Sequence, residues 1–556
     1  FGFISPPRMA QRAAATDSGV ASQNMPPVGA RGTTDSMIVG TFSEFRVIKT
    51  TSVVTGELPA AIRDLVTFDG VEDLLRASRL GTVLRRGGHI FANSAGSAAT
   101  YKFSEQVLKI NAFISHNWSV RQMHKYLSLV LHFNFRLATL ATFAVMISLT
   151  AAGSWGHLPT YNFGITIYPR GFLARVLTIP VFLSVLCFVR DVVPCSMFLG
   201  PTVFLDKTCI HQEDGAIQRQ GIEKLGAFLN CSETMVICYT DVYLTKLWTV
   251  YEVASFLSLH PVQHVRLLPA HAAGVVIYSC VALYFCDMLA LALQTTVRFY
   301  YLDSFVLPLF FHILACALRH AARSKVAMYE RLSSFSVHNC SCFLDSDRAI
   351  VHANITALMK ATHGMGSGTS EEEALACFDS LVRQEMPKAM ASSFGRFNIP
   401  FKHMLALSFL GGVPRLLDIV CGFPSGLPMR TFWTYYCLFY INAILFISPM
   451  FIALSDALAS SRLHYRGARE QLWVLIGTVF FGMYLYVNLV ISDMLEVWAK
   501  TSDIGLATYI VLAVVPSLLV LLLMSDQCPH RSRIFSVRSS SSSSNRSTLK
   551  QDRAKN

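Results

Sequence analysis

The sequence predicts an α-helical multi-pass membrane protein of about eight spans that carries a cytosolic α/β domain built on a parallel sheet. Three observations carry this expectation. The chain is too apolar for a soluble protein, since hydrophobic residues make up 53% of its 556 positions and charged residues 15%, against a usual quarter; the mean hydropathy is +0.43. Apolar runs of membrane length recur along it. A strand–helix pattern is interrupted by two of these runs: it starts at Ala112-Phe113-Ile114-Ser115-His116, resumes at Val203-Phe204-Leu205-Asp206, and continues through Met235–Tyr239 to Leu247–Glu252.

Taken in order, residues 1–45 are rich in Ala, Ser, Gly, Pro and Thr with no apolar period, which predicts a disordered arm. Residues 46–106 form a small N-terminal region with one amphipathic helix, Val71 to Leu84, stopping at Gly87-Gly88, and no assigned role. Residues 107–135 supply the first part of the α/β domain: a strand and loop over Asn111–Ser119, then a helix over Val120–Phe135. An apolar hairpin over 137–189 follows, with spans at 137–153 and 172–189. The second part of the domain, 198–262, reads as a strand at Val203–Asp206, a short helix at Gly221–Asn230, a strand at Met235–Tyr239 and a helix at Lys246–Leu259. Strands alternating with helices imply a parallel, doubly wound sheet. A second hairpin fills 267–318, with spans at 267–293 and 301–318. Residues 319–402 form a cytosolic segment that supplies cover for the sheet edge, through Phe335–Val337 or Ser341–Leu344 and the helix Asp347–Lys360. Four spans occupy 403–524, at 403–421, 432–455, 472–491 and 504–524; the first contains Pro414, Arg415 and Asp418 and reads either as a span or as a re-entrant segment.

The net charge of +12 is unevenly placed. With both termini and the α/β domain cytoplasmic, the outer loops hold only Arg170, Arg298, Arg430 and Lys500. The inner segments are more basic, with Arg462, Arg466 and Arg469 in one loop and seven basic residues from Arg531 to Lys555 in the tail, as the positive-inside rule asks. That tail, 525–556, carries six consecutive serines, Ser539 to Ser544, and reads as disordered. It is attracted to anionic lipid head groups by ~1 kcal/mol per basic residue, an attraction that phosphorylation weakens; a simple topology anchor is the alternative. No cleavable leader is expected, because the first long apolar run starts beyond residue 130. The fourteen cysteines show neither zinc spacing nor a disulfide framework, so reduced structural thiols and no metal are expected. The basic charge serves topology, and no nucleic-acid partner is indicated.

The split α/β segments resemble a Toll/interleukin receptor (TIR) domain. Phe113-Ile114-Ser115-His116 is similar to the first strand of that family and Phe204-Leu205-Asp206 to the second, with Gly221-Ile222 similar to residues near its mobile BB loop. Ser232 and Met235–Cys238 resemble the third strand. Tyr243, Trp248 and Glu252 reproduce the spacing of the Trp-Cys-x-x-Glu helix, with Thr249 at the cysteine position. Similar segments occur in large predicted membrane proteins of unicellular algae. The resemblance covers 107–135 and 198–262, and two departures mark it. Trp118-Ser119-Val120 stands where the family has an acidic residue, and the chain re-enters an apolar run before a fourth or fifth strand.

The resemblance implies a flavodoxin-like parallel sheet, self-association into homo-oligomers, and, as in some TIR domains, cleavage of NAD as substrate rather than use of a resident cofactor. Glu252 would be the catalytic carboxylate, stabilising the oxocarbenium-like ribosyl cation or binding the ribose hydroxyls. Trp118, Asp206, Tyr243 and Trp248 would line the site, Trp118 by stacking on a ring. Many TIR domains are adaptors, for which Trp248 and Glu252 serve only packing and surface roles. A parallel sheet whose helices run back to the edge where strands begin would send both hairpins out from that edge, leaving the carboxyl-end loops facing the cytosol. Two weaker patterns carry no function: Lys207-Thr208-Cys209-Ile210-His211 lacks further metal ligands, and Gly364–Gly368 is followed by Glu371–Glu373 rather than lysine. The rival reading, a channel or transporter with a regulatory cytosolic domain, rests on Asp287, Arg415 and Asp418 inside apolar runs.

Overall fold

Six strands form one sheet in the computed structural model, which describes residues 60–160, 171–192, 200–297, 303–342, 344–366, 368–394, 398–421 and 441–524. The expected disordered arm and basic tail, and residues 432–440 of the run 432–455, lie outside these residues. The strands are β1 (Arg76–Arg79), β2 (Ser104–Gln106), β3 (Ile110–Ser115), β4 (Thr202–Phe204), β5 (Ser232–Tyr239) and β6 (Val265–Pro269), in spatial order β2-β1-β4-β3-β5-β6. Strands β4, β3, β5 and β6 are mutually parallel, and β1 runs antiparallel to both its neighbours. Counted along the chain, the parallel strands lie in the order second, first, third, fourth, as in flavodoxin-like sheets. Ala112 pairs with Val203 and Phe113 with Phe204, whose rings stack with centroids 4.5 Å apart. Segments separated by the first apolar hairpin are therefore neighbouring strands of one sheet.

The helices of the α/β region are α1 (Ala60–Val66), α2 (Leu80–Gly88), α3 (Ala98–Tyr101) and α4 (Gln122–Phe133). After the hairpin α5 (Phe135–Ser154) and α6 (Leu173–Val192) come α7 (Asp206–Cys209), α8 (Gly215–Glu223), α9 (Leu225–Asn230) and α10 (Leu247–Leu259). Then follow α11 (Ala270–Val297), α12 (Asp303–Ser333), α13 (Asp345–Thr362), α14 (Glu371–Phe394) and α15 (Phe401–Val420). Strand alternation sorts the core into two layers. Ala112, Ile114, Val203, Val236 and Cys238 face a layer of α2, α4 and α11 that is continuous with the apolar helices. Phe113, Phe204, Met235, Ile237 and Tyr239 face the opposite layer, packed by α1, α9, α10, α13 and α14.

Three sequence expectations change here. The helix expected over Val71–Leu84 is a 3-10 turn at Glu72–Leu74, then β1, then α2. Ala77 and Ser78 are fully buried because β1 pairs with β4, and that tertiary pairing overrides a helical apolar period. The run expected to begin a span at 267 starts instead inside β6, where Val265 and Leu267 are buried sheet residues. A short apolar run is the same by period whether it is a buried strand or a helix start. Phe335–Val337 and Ser341 do not join the sheet edge: Ser341 bridges to Lys246, and Val337–Asn339 is a 3-10 turn. The edge is met by α14, whose Ser393 Oγ accepts from Leu267 N at 3.0 Å.

Both helices that leave the sheet for the apolar bundle are helices that follow strands. Helix α4 passes into α5 through Asn134 alone, which is fixed by α6: its Nδ2 donates to Leu186 O at 2.9 Å and its Oδ1 accepts from Arg190 Nε at 2.7 Å. Helix α11 follows β6, packs on α4, and continues among α6, α12 and α15. At ~1.5 Å per residue its 28 residues far exceed what the sheet needs. The second departure is thus through the helix after β6, not after α10 as the sequence suggested.

Six helices among the described residues are long and apolar enough to cross a membrane: Phe135–Ser154, Leu173–Val192, Ala272–Leu293, Phe401–Val420, Ala443–Ser460 and Ala468–Val487. Of the two remaining expected runs, residues 303–318 and 504–524 are also helical, in α12 and in Asp503–Met524. The segment 403–421 is one continuous helix with Pro414 inside. Asp287 of α11, not isolated as its sequence position suggested, accepts from Arg175 Nε of α6 at 2.6 Å. It also accepts from Arg415 Nε and Nη2 of α15 at 2.9 and 2.6 Å.

Candidate functional site

Ligands of open α/β sheets bind beyond the carboxyl ends of the strands, where the strand order reverses. Here the reversal lies between β3 and β5, and four of the five residues expected to form a site gather around it. Ser115, the last residue of β3, donates from Oγ to Glu252 Oε2 and shares a short hydrogen bond with Tyr243 OH. Tyr243 sits in the turn after β5, fully buried, its backbone carbonyl accepting from Thr249 Oγ1 at 2.6 Å. It therefore props Ser115 from behind. Glu252 lies in the second turn of α10 and is partly buried. Asp206 opens α7 just beyond β4; its Oδ2 accepts from Trp118 Nε1 at 2.8 Å and its Oδ1 from Lys207 N at 2.7 Å. Trp118, Asp206 and Glu252 are each partly exposed and form the rim.

Trp248 is placed apart. Its indole Nε1 donates to Asp347 Oδ2 of α13 at 3.1 Å and its ring meets Tyr251 edge-on, so it ties α10 to α13. Gly221, expected near a mobile loop, is inside α8 with its α-carbon against Ile210. His211 Nδ1 accepts from Glu213 N and Asp214 N, ordering a polar loop. Among the described residues no cluster of His, Cys, Asp and Glu has the composition of a metal site.

Behind the rim is a group that sequence reasoning missed. Lys125 of α4 is fully buried, with its Nζ 4.8 Å from the centroid of Trp118 and 5.5 Å from that of Phe91. His116 packs edge-on against the same two rings, at 4.5 and 5.4 Å. Lys207 Nζ, 5.6 Å from the Trp118 centroid, is held by the carbonyls of Ile90 and Asn93 and by Asn93 Oδ1. Nothing in a helix sequence such as Gln122–Phe133 marks which lysine turns inward; only the docking of α4 on Ile114 and Cys238 decides it.

Burial sets the protonation of this region. It pushes the Glu252 carboxyl up to about 8, with the nearby Asp206 charge adding to the rise and the Ser115 hydrogen bond opposing it. Burial lowers His116 to about 4, leaving it neutral. Burial also lowers Lys125 to about 8, against the pull of Asp206. At neutral pH, Glu252 is mostly a carboxylic acid.

The folded chain keeps a proton on Glu252 that the unfolded chain, with a glutamate value of ~4.3, has released. Stability contributed by the neutral acid is therefore lost as pH rises from that value through about 8. Glu252→Gln is neutral throughout, so its melting temperature in detergent should gain on the native protein between pH 6 and 9. A gap that does not widen would contradict the assigned protonation. Compared with known proteins, the chain matches no family model, no curated protein and no solved structure.

Proposed function

We propose that the chain is an integral membrane protein whose cytosolic α/β domain is a TIR-like signalling module, acting by self-association and by cleavage of NAD. The observation that carries this reading is the meeting of Glu252, Asp206 and Trp118 at the strand-order reversal, with Ser115 holding the Glu252 carboxyl. Membrane insertion is supported by the six apolar helices. It is supported again by helix Ala468–Thr501, which exposes Val479, Phe480, Met483, Tyr486 and Val487 together. A face that apolar is stable against lipid, not water. The basic segments at 456–471 and 525–556 support a topology with both termini and the α/β domain in the cytosol, and attraction of the tail to anionic head groups.

In the proposed reaction the nicotinamide–ribose bond breaks through an oxocarbenium-like ribosyl cation, nicotinamide leaves with the bonding pair, and a solvent water adds to the anomeric carbon and gives up a proton. Ionised Glu252 stabilises that charge or orients the ribose hydroxyls, and Trp118 offers a face to an aromatic ring. Because the ionised carboxylate is the working form, the rate should climb with pH toward about 8 and level off above it. The test is nicotinamide release from NAD by the purified protein in detergent across pH 6 to 9. No release at any pH removes cleavage and leaves assembly as the mode of action. The transport alternative rested on membrane-depth charges, and Asp287 is committed to Arg175 and Arg415.

A further inference from the structure

Three side-chain nitrogens behind the rim, Lys125 Nζ, His116 Nε2 and Asn117 Nδ2, are buried and have no hydrogen-bond partner. Buried polar groups are ordinarily satisfied. A lysine ammonium has three donors and no acceptor, and burying it with none of them used is costly. Lys125 and His116 share the same pair of flanking rings, Phe91 and Trp118. Asn117 follows His116 in the chain, with its Oδ1 occupied by the Ser119 amide and hydroxyl. The Lys125 ammonium and the Asn117 amide are donors left without acceptors, and the neutral His116 ring carries one N–H beside them; such a corner suits a group made of acceptors. Asp206, the carboxylate at this corner, is engaged by Trp118 Nε1 and Lys207 N.

Trp118 is what covers this corner. It is partly exposed whereas His116 and Asn117 before it are buried, and one hydrogen bond to Asp206 holds its indole. Rotating the indole away would uncover the ammonium it now covers.

We infer that Lys125, with His116 and Asn117, forms a phosphate-binding pocket lidded by Trp118, which takes the pyrophosphate of a soluble dinucleotide when the indole swings off the lysine. The inference deepens the NAD reading by assigning the anionic part of the substrate, and it rests on that reading only for the identity of the dinucleotide. The pocket opens at the carboxyl edge of the sheet, opposite the edge toward which α4 runs to become α5. A soluble phosphate, not a lipid head group, is the occupant that this placement favours.

The experiment titrates inorganic pyrophosphate into the full-length protein in detergent, reading heat and tryptophan emission. Binding is expected with a change in emission that disappears in Trp118→Phe. Lys125→Met is expected to weaken binding at least tenfold without lowering the melting temperature, since an unbranched apolar chain one atom shorter fills most of the space of a buried lysine and removes its buried charge. Two results overturn the inference: no binding of pyrophosphate by the native protein, or equal binding by a folded Lys125→Met. Should the variant not fold, the emission change of the native protein and its loss in Trp118→Phe decide the matter. Vesicles bearing phosphorylated head groups form the second arm; binding to these and not to pyrophosphate also overturns it. Pyrophosphate binding through Lys125 without nicotinamide release keeps the pocket and removes the NAD reading.

Discussion

Glu252→Ala is expected to lower nicotinamide release from NAD by at least ~100-fold, the usual cost of removing one preorganised group that stabilises developing charge. Its geometry makes Glu252 a better choice than any other carboxylate at the rim. Asp206 accepts two hydrogen bonds, one of them from Trp118, whereas Glu252 accepts from Ser115 alone among the residues of this corner. Glu252→Gln separates charge from shape: with the ionised form active, it should fall as far as the alanine variant. Ser115→Ala gives a different signature. Ser115 opposes the rise caused by burial, so its loss should move the pH–rate profile toward higher pH while sparing much of the high-pH plateau. Equal release by the native protein and Glu252→Ala would end the catalytic assignment, whatever the serine variant does. A drop in Glu252→Ala with a collapsed melting temperature would be a folding effect, which the glutamine variant, expected to be at least as stable, distinguishes.

What could be read from the sequence, and what could not, divides along physical lines. Strands β3 and β5 were legible because each is a β-branched and aromatic run ending in polar residues, and α10 because Lys246–Leu259 keeps an apolar face. That Phe113 and Phe204 adjoin was legible from the strand–helix rhythm on either side of the hairpin. Strand β1 was not, since four residues reading Arg-Ala-Ser-Arg become a strand only by pairing with β4 and β2. Strand β6 was hidden because its apolar residues run without a break into α11. The rim residues Trp118, Asp206 and Glu252 came from the resemblance, and the sheet places them together. Trp248 came from the same source, yet its position on α10 turns it to α13. Lys125 carried no signal at all, because local sequence does not say which face of a helix docks. Asp287 was visible as a charge out of place, but its partners lie on α6 and α15, more than one hundred residues away in either direction.

Asp287→Asn is expected to cost about 3–5 kcal/mol of stability or to abolish the folded state, because it takes the charged partner from the buried Arg175 and one carboxylate from the partly buried Arg415. The geometry is that of a lock between three helices. Arg175 bonds the side chain and the backbone carbonyl of Asp287, at 2.6 and 3.1 Å, while Arg415 grips the other carboxylate oxygen from α15 with two nitrogens. Arg175 and Asp287 are almost fully buried in the bundle, so water cannot replace the lost contacts. Charged groups at such depth persist when they pair. If the triad is a lock, replacing all three residues by leucine should restore much of what Asp287→Asn loses, since well-packed apolar side chains commonly match a buried ion pair in stability. A transport role predicts the opposite pattern: Asp287→Asn would fold with an unchanged melting temperature while solute flux in proteoliposomes disappears. The two outcomes are read on the same purified protein, by thermal unfolding in detergent and by flux after reconstitution. Folding that fails with asparagine and returns with the leucine triple would fix the role of these charges as structural and remove the observation on which a transport role rested.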